Sequence, residues 1–364
     1  MTLIDLRSDT CSRPTPAMRR AMARAEVGDD VYGDDPTVRE LEAETARLLG
    51  TDDAVYMPTG TMTNQVAIRT HTEAGDAVLF DQNAHVYLLE GGAPAAYSGV
   101  LPRLLPGVRG IFTPDDVRTA VGHKHPFLPA TISAPASLLC LENTHNLGGG
   151  SIWPLEALRD VVRAGREAGL KLHLDGARLW HASAATGVEL TDYATLFDTV
   201  SVCFSKALGA PIGSCLAGPE AVIARARRFK QQAGGGFRQA GIVAAGALYA
   251  LRHHRSRLTE THSNARRFAQ ALADMNGIAI DPAEVETNIV RFRLTGADSA
   301  AFVHEAHRLG VHLLPSGADG VRAVFYLDIS TDDTDRAIDV VAEALRNQSR
   351  NANRHSSVTA SGNR

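Results

Sequence analysis

Cysteine is scarce: Cys11, Cys140, Cys203 and Cys215 are the four in 364 residues, and no two of them form a CxxC pair. A disulfide framework and a paired-cysteine zinc site are excluded, and reduced thiols are expected. An excess of one charge is also missing. Lys plus Arg numbers 37 and Asp plus Glu 41, a net charge of −4, which leaves no electrostatic footprint for nucleic acid or a membrane surface. No apolar run reaches the roughly 18 residues of a membrane span. The opening MTLIDLRSDT places Asp5 and Arg7 where a secretory signal needs apolar residues. The expectation is a soluble, cytoplasmic protein with neither a nucleic-acid nor a membrane partner. Neither GxxxxGK[ST] nor HExxH occurs, and the pairs His123/His125 and His253/His254 lack carboxylates at ligand spacing. Both pairs read as solvated faces, and no metal site is expected.

What is present is an alternation of apolar runs with amphipathic stretches, the pattern of an α/β fold: a large domain with a mostly parallel sheet covered by helices, plus a smaller C-terminal α+β domain. Strands are expected at 54–57, 77–81, 137–142, 170–175 and 199–205, each a continuous apolar run suited to burial on both faces. Asp35 can cap a helix that starts at Pro36, carries Val38, Leu41, Leu48 and Leu49 on one face and stops at Gly50. The stretch 154–169 reads as a covering helix and crossover. Clustered Gly and Pro between 91 and 135 suggest surface connections. After Gly234-Gly235-Gly236 the texture changes: helices at 241–255 and 257–275, then strand 288–294, helix 299–309, strand 321–328 and helix 334–346. The expected division is 1–250 with an N-terminal arm, 251–346, and a disordered polar tail at 347–364.

The sharpest chemical feature is Val200-Ser201-Val202-Cys203-Phe204-Ser205-Lys206, an apolar strand that delivers a lysine into a Gly/Pro-rich turn. An ammonium at a dry strand end costs several kcal/mol unless it is paired or neutralised, and condensation with an aldehyde cofactor neutralises it. A lone lysine there more often snorkels to water. Lys206 has company, however: Leu174-Asp175-Gly176-Ala177-Arg178 ends a second apolar strand upstream, and one crossover brings both ends to the ligand-binding edge of an open α/β sheet. Pyridoxal phosphate needs this pair, a lysine for its aldehyde and a carboxylate for its ring nitrogen. Taken alone, Asp175 is equally suited to capping a helix. Pro58-Thr59-Gly60-Thr61 opens a helix after a third strand, where backbone N–H groups can hold a phosphate, although most such turns bind nothing. His85 follows a fourth strand; an imidazole there can stack on a ring or move a proton, or be a hydrogen-bonded surface group.

Together with Asp5-Leu6-Arg7-Ser8-Asp9-Thr10, Gly28-Asp29-Asp30-Val31-Tyr32-Gly33-Asp34-Asp35-Pro36-Thr37, Leu141-Glu142-Asn143-Thr144-His145-Asn146 and Gly234-Gly235-Gly236-Phe237-Arg238-Gln239, the chain resembles the low-specificity L-threonine aldolases among fold type I pyridoxal phosphate enzymes. The resemblance runs from Ile4 to about Arg346. It implies that Lys206 holds the cofactor aldehyde, Asp175 meets the ring nitrogen, Gly60 and Thr61 hold the phosphate, and His85 stacks on the ring, with Ser205, Arg178 and Arg238 as further cofactor contacts. It implies that Ser8, Arg178 and Arg322 gather the amino-acid carboxylate, and that the chain forms a homotetramer in which Tyr32 and Arg238 serve a neighbouring subunit's site. The implied reaction is cleavage of L-threonine, L-allo-threonine or a related β-hydroxy-α-amino acid to glycine and an aldehyde. His85 is the first candidate base and His145 the second. β-Elimination, transamination and serine hydroxymethyl transfer are rivals on the same scaffold, and a non-catalytic binding protein is a rival of another class. The family pattern Arg-x-Val-Thr-His-x-Asp reads Arg322-Ala323-Val324-Phe325-Tyr326-Leu327-Asp328 here, a change expected to alter substrate choice. A family lysine is replaced by Gln231, beside Lys230.

Overall fold

A computed structural model of the chain describes residues 3–122, 127, 129–296 and 298–361, so His123 and His125 lie outside the described residues. The chain divides into two units, one spanning Ser12–Leu258 and the other made of the N-terminal residues through Cys11 together with the chain from Thr259 onward. The expected division at 250/251 differs from this, most of all at the N-terminus. Ile4 and Leu6 are buried, and the backbone around them is bonded to Gly310, His312 and Val324, so the first residues are part of the smaller unit.

The larger unit is built on seven strands: β1 (Asp53–Met57), β2 (Ala77–Asp81), β3 (Leu101–Leu105), β4 (Ala136–Glu142), β5 (Lys171–Gly176), β6 (Thr199–Cys203) and β7 (Ser214–Gly218). Their order is β1-β7-β6-β5-β4-β2-β3. The neighbours from β6 to β3 are parallel, and β7 runs antiparallel to both β1 and β6. The expected strands therefore form, and two more accompany them. β3 is an exposed edge strand within the region read as surface connections, and Pro102 in it weakens any strand signal.

Helix α1 (Pro36–Leu49) starts on the Asp35 carboxylate, which accepts from Val38 N, and ends at Gly50 with φ 67°, the left-handed conformation that glycine adopts at least cost. Helix α2 (Gly60–His71) begins directly beyond β1 with Thr59 as its cap. Val66 and Ala67 of α2 pack with Val55, Met57 and Leu216 of the sheet and with Ile223 and Phe229 of α4 (Glu220–Gln232). Helix α3 (Leu155–Glu167) is the crossover from β4 to β5; it buries Leu158, Val161 and Val162, each worth about 1.5–3 kcal/mol on removal from water. The following helix, α5 (Gly241–His253), ends beside His254, which is buried with Nδ1 against Leu208 O at 2.7 Å. That corrects the reading of His253/His254 as a solvated pair: only His253 is exposed.

The smaller unit carries an antiparallel sheet of β8 (Ile278–Ala279), β9 (Ile289–Leu294), β10 (Leu314–Pro315) and β11 (Gly320–Val324), in the order β10-β11-β9-β8. The side chains of β9 alternate between core and solvent over much of its length, as one-sided burial requires. β11 ends before Phe325, whose ring is 0% exposed and lies 5.4 Å from that of Phe268. The last helix runs Thr331–Ser361, which differs from the expected disorder after Asn347; neither Pro nor Gly interrupts the sequence before Gly362 to stop it.

Candidate active site

The C-terminal ends of β2, β4 and β5 each carry a buried carboxylate: Asp81, Glu142 and Asp175. β5 and β6 are adjacent and parallel, with Asp175 opposite Ser201, so the chain leaves β6 toward Ser205 and Lys206 at the edge where Asp175 ends its strand. Asp175 is 2% exposed. Its Oδ2 accepts from Asn64 Nδ2 at 2.9 Å and its Oδ1 from Ala177 N at 3.0 Å, which fixes the carboxylate in place. Ser12 Oγ donates to Lys206 O at 2.7 Å and pins the lysine's backbone.

Gly60 opens α2 against the end of β6. A Cβ at this position would lie 2.6 Å from Cys203 Sγ, so only glycine lets the helix start approach so closely. The exposed Thr61 follows it in the first turn. His85 begins a short helix after β2. Its backbone N donates to Glu142 Oε2 at 2.8 Å, and its ring Nδ1 lies 3.1 Å from Glu90 Oε1. Burial opposes charge on this ring, but Glu90, Asp175 and Glu142 outweigh both burial and the repulsion from Lys206, so its pKa is raised. Burial, with Asp175 nearby, also raises the pKa of Glu90, against the hydrogen bonds from His85, Asn64 and Gln65. His85, Glu90 and Asp175 bring their ligand-type atoms within 4.8 Å of one another. Asn64 and Gln65 donate to the carboxylates.

His145 is buried with Nε2 3.2 Å from Asp81 Oδ1 and Nδ1 accepting from Gly148 N at 3.0 Å. Nδ1 is therefore engaged, and the buried Nε2 faces the Asp81 carboxylate without hydrogen-bond geometry. Burial opposes its protonation, but Glu142, Asp81 and Asp175 prevail and raise its pKa. Arg178 is buried, with Nη1 donating to Asn146 Oδ1 at 3.3 Å. Arg238 pairs with Asp29 at 3.0 Å, and Tyr32 is 80% exposed. Ser8 and Arg322 belong to the smaller unit, where Ser8 Oγ accepts from Thr10 and Arg322 Nη2 donates to Arg7 O. Gln231 packs against Gly236, while Lys230 forms a buried pair with Asp30 at 2.6 Å.

Asn64, Glu90 and His173 escaped the sequence reading. Asn64 donates to both Glu90 and Asp175 through Nδ2 and lies 3.1 Å from His173 Nε2 through Oδ1; His173 Nδ1 in turn lies 2.9 Å from Thr199 Oγ1. Burial lowers the His173 pKa to about 4, so this ring is neutral and can donate to one neighbour while accepting from another. Spacing carried a partial signal for two of them: His173 precedes Asp175 by two on the same strand face, and Asn64, which bonds both, sits one helical turn beyond Gly60.

The residues present fit pyridoxal phosphate: a lysine and a buried carboxylate delivered to the same sheet edge, a glycine-tight helix start suited to phosphate and an imidazole near enough to feel the charge of both Asp175 and Lys206. A family described as beta-eliminating lyase matches residues 5–295. The chain is 40% identical over 331 residues to the low specificity L-threonine aldolase of Escherichia coli (strain K12), covering 91% of this chain and 96% of that one. It is 36% identical over 355 residues to low-specificity L-threonine aldolase 1 of Arabidopsis thaliana, covering 95% and 97%. The Leishmania major threonine aldolase structure shares the fold, with a TM-score of 0.79 at 21% identity over 93% of this chain and 99% of that one. The chain belongs to the beta-eliminating lyase family and, within it, to the low-specificity L-threonine aldolases.

Proposed function

We propose that the protein cleaves L-threonine, L-allo-threonine or a related β-hydroxy-α-amino acid to glycine and an aldehyde, as a pyridoxal phosphate-dependent carbon–carbon lyase. The observation that carries this reading is the placement of Asp175 and Lys206 at one edge of adjacent parallel strands. When bound, pyridoxal phosphate supplies an aldehyde for the substrate amine and an electron sink for charge developing at Cα. Lys206 is the residue that would hold it. Asp175, fixed by Asn64 and Ala177, keeps the ring nitrogen protonated, and the first turn of α2 at Gly60 and Thr61 offers N–H groups to the phosphate.

His85 takes the β-hydroxyl proton. The role requires its neutral form, so the raised pKa sets an acidic limit on activity. Glu90 orients the ring through Nδ1 and leaves Nε2 for the substrate side. His145 is buried, with Nδ1 taken by Gly148 N and Nε2 facing the Asp81 carboxylate, which supports assigning the proton to His85. Arg178, whose forked guanidinium suits a carboxylate, orients the amino acid. A homotetramer in the cytoplasm completes the proposal, with exposed Tyr32 and the Arg238–Asp29 pair available to a neighbouring subunit.

The test is product analysis of the cofactor-loaded enzyme with threonine, allo-threonine and phenylserine. Glycine and the matching aldehyde in equal amounts are expected. Ammonia with a keto acid, a folate requirement, or absence of turnover on all three would overturn the reading.

A further inference from the structure

Asp175 stands at the end of a line of polar groups that leads away from the reacting edge. Asn64 and His71 are seven residues apart on α2 and so share one of its faces, while His173 and Thr199 are paired neighbours on β5 and β6. Between these two surfaces the contacts are continuous. Asp175 Oδ2 lies 2.9 Å from Asn64 Nδ2, Asn64 Oδ1 3.1 Å from His173 Nε2, His173 Nδ1 2.9 Å from Thr199 Oγ1, and Thr199 Oγ1 3.0 Å from His71 Nε2. His173 and Thr199 are fully buried, so water offers neither a substitute partner.

The direction of every bond in the line is determined. Asn64 Nδ2 faces the carboxyl groups of both Asp175 and Glu90, which call for donors, so the amide oxygen is the atom that faces His173. That oxygen only accepts, so His173 Nε2 carries the ring's proton. Burial lowers the pKa of His173 and of His71 to about 4. A neutral His173 protonated at Nε2 has a bare Nδ1, which accepts from the Thr199 hydroxyl, and the hydroxyl oxygen in turn accepts from His71 Nε2. All four bonds therefore point toward Asp175. The line orients and does not conduct, because an amide passes no proton on. With Asn64 turned over, its oxygen would oppose the Asp175 carboxylate, which would lose a donor that favours its charged form.

We propose that His173, Thr199 and His71 are positioning residues for the cleavage reaction: they lock the Asn64 amide so that Asp175 stays ionised against the cofactor's ring nitrogen. This inference rests on the reading of Asp175 given above. Its signature is spectroscopic, because a ring nitrogen held less firmly in its protonated form withdraws fewer electrons and raises the pH at which the bound cofactor's visible absorption titrates.

The test is a pH titration of that absorption in the cofactor-loaded enzyme. Asp175→Asn is expected to raise the midpoint by about one pH unit or more, and His173→Leu, which removes the donor to Asn64, by roughly half a unit or more. His173→Gln, whose amide can donate in its place, should recover most of the shift. Thr199→Val, close in shape and lacking the hydroxyl, should move the midpoint in the same direction and Thr199→Ser should restore it, a comparison that stands if His173→Leu does not fold. An unmoved midpoint in Thr199→Val and His173→Leu, or equal shifts in Thr199→Val and Thr199→Ser, would overturn the proposal. An unmoved midpoint in Asp175→Asn would overturn the placement of Asp175 at the ring nitrogen, and this inference with it.

Discussion

The two sheets bury their residues by opposite rules. In the larger unit the parallel strands are apolar along their length and end in polar groups: Asp81, Glu142 and Asp175 are buried at strand ends and surrounded by donors. In the smaller unit the antiparallel sheet turns its alternating apolar side chains onto an aromatic cluster of Phe268, Phe292, Phe302 and Phe325. Charge is therefore concentrated where a parallel sheet stops, and packing where an antiparallel sheet faces inward. The Phe325-Tyr326 departure falls in the second kind of region. Phe325 is core, and the Tyr326 hydroxyl donates to Asp5 O at 2.8 Å, so the expected effect of Phe325 on substrate choice gives way to a packing role.

The contrast is broken most severely at the strand end. Lys206→Ala is expected to lower turnover on the order of 10³-fold or more, about 4 kcal/mol, whereas Lys171→Ala, at the exposed start of β5, should stay within about twofold, well under 1 kcal/mol. Steady-state assays of both variants with threonine decide this, and equal losses would remove the distinction. In the aromatic cluster the effect should appear in stability. Phe325→Ala is expected to cost about 3–5 kcal/mol in urea unfolding while the ratio of kcat/KM for phenylserine over threonine stays at the parent value. A changed ratio would return Phe325 to the substrate.

A smaller effect should follow from Glu90→Gln. Removing the carboxylate beside Nδ1 lowers the His85 pKa, so the neutral base persists to lower pH and the acidic limb of kcat/KM moves down, by about one pH unit for each 1.4 kcal/mol of lost pairing. An upward move, or a limb unchanged in position, would dissociate Glu90 from His85. The least effect is expected from stopping the chain after Gln348. Thermal denaturation should detect a change within about 0.5 kcal/mol, because the removed segment is polar; a larger loss would show that it is docked.

Much of the larger unit was legible because its strands are apolar runs of ordinary length and its helix caps use the residues that capping chemistry prefers, Asp35 and Gly50 being the clearest. The positions of Lys206, Asp175, Gly60 and His85 at sheet-strand ends were legible because each lies at or shortly after the end of such a strand. The hydrogen bonds of Asn64 with Asp175, Glu90 and His173 were not, since they arise only when α2, the turn after β2 and β5 come together. β7 was missed for a different reason. Ser214-Cys215-Leu216-Ala217-Gly218 is short and small-featured, and in a mostly parallel α/β pattern the next strand is expected after a helix.

That overlooked strand has a bearing on how the protein assembles. β6 and β7 pair antiparallel, from Val200 with Ala217 to Cys203 with Ser214, and the intervening segment 204–213 carries Lys206 at its third position. The segment thus closes as a local loop, with a small entropic cost, whereas pairing β1 with β7 joins residues far apart along the chain. The turn that carries the lysine is thus held by pairing local in sequence, whereas the β1 end that leads into the glycine turn is held by a long-range pairing.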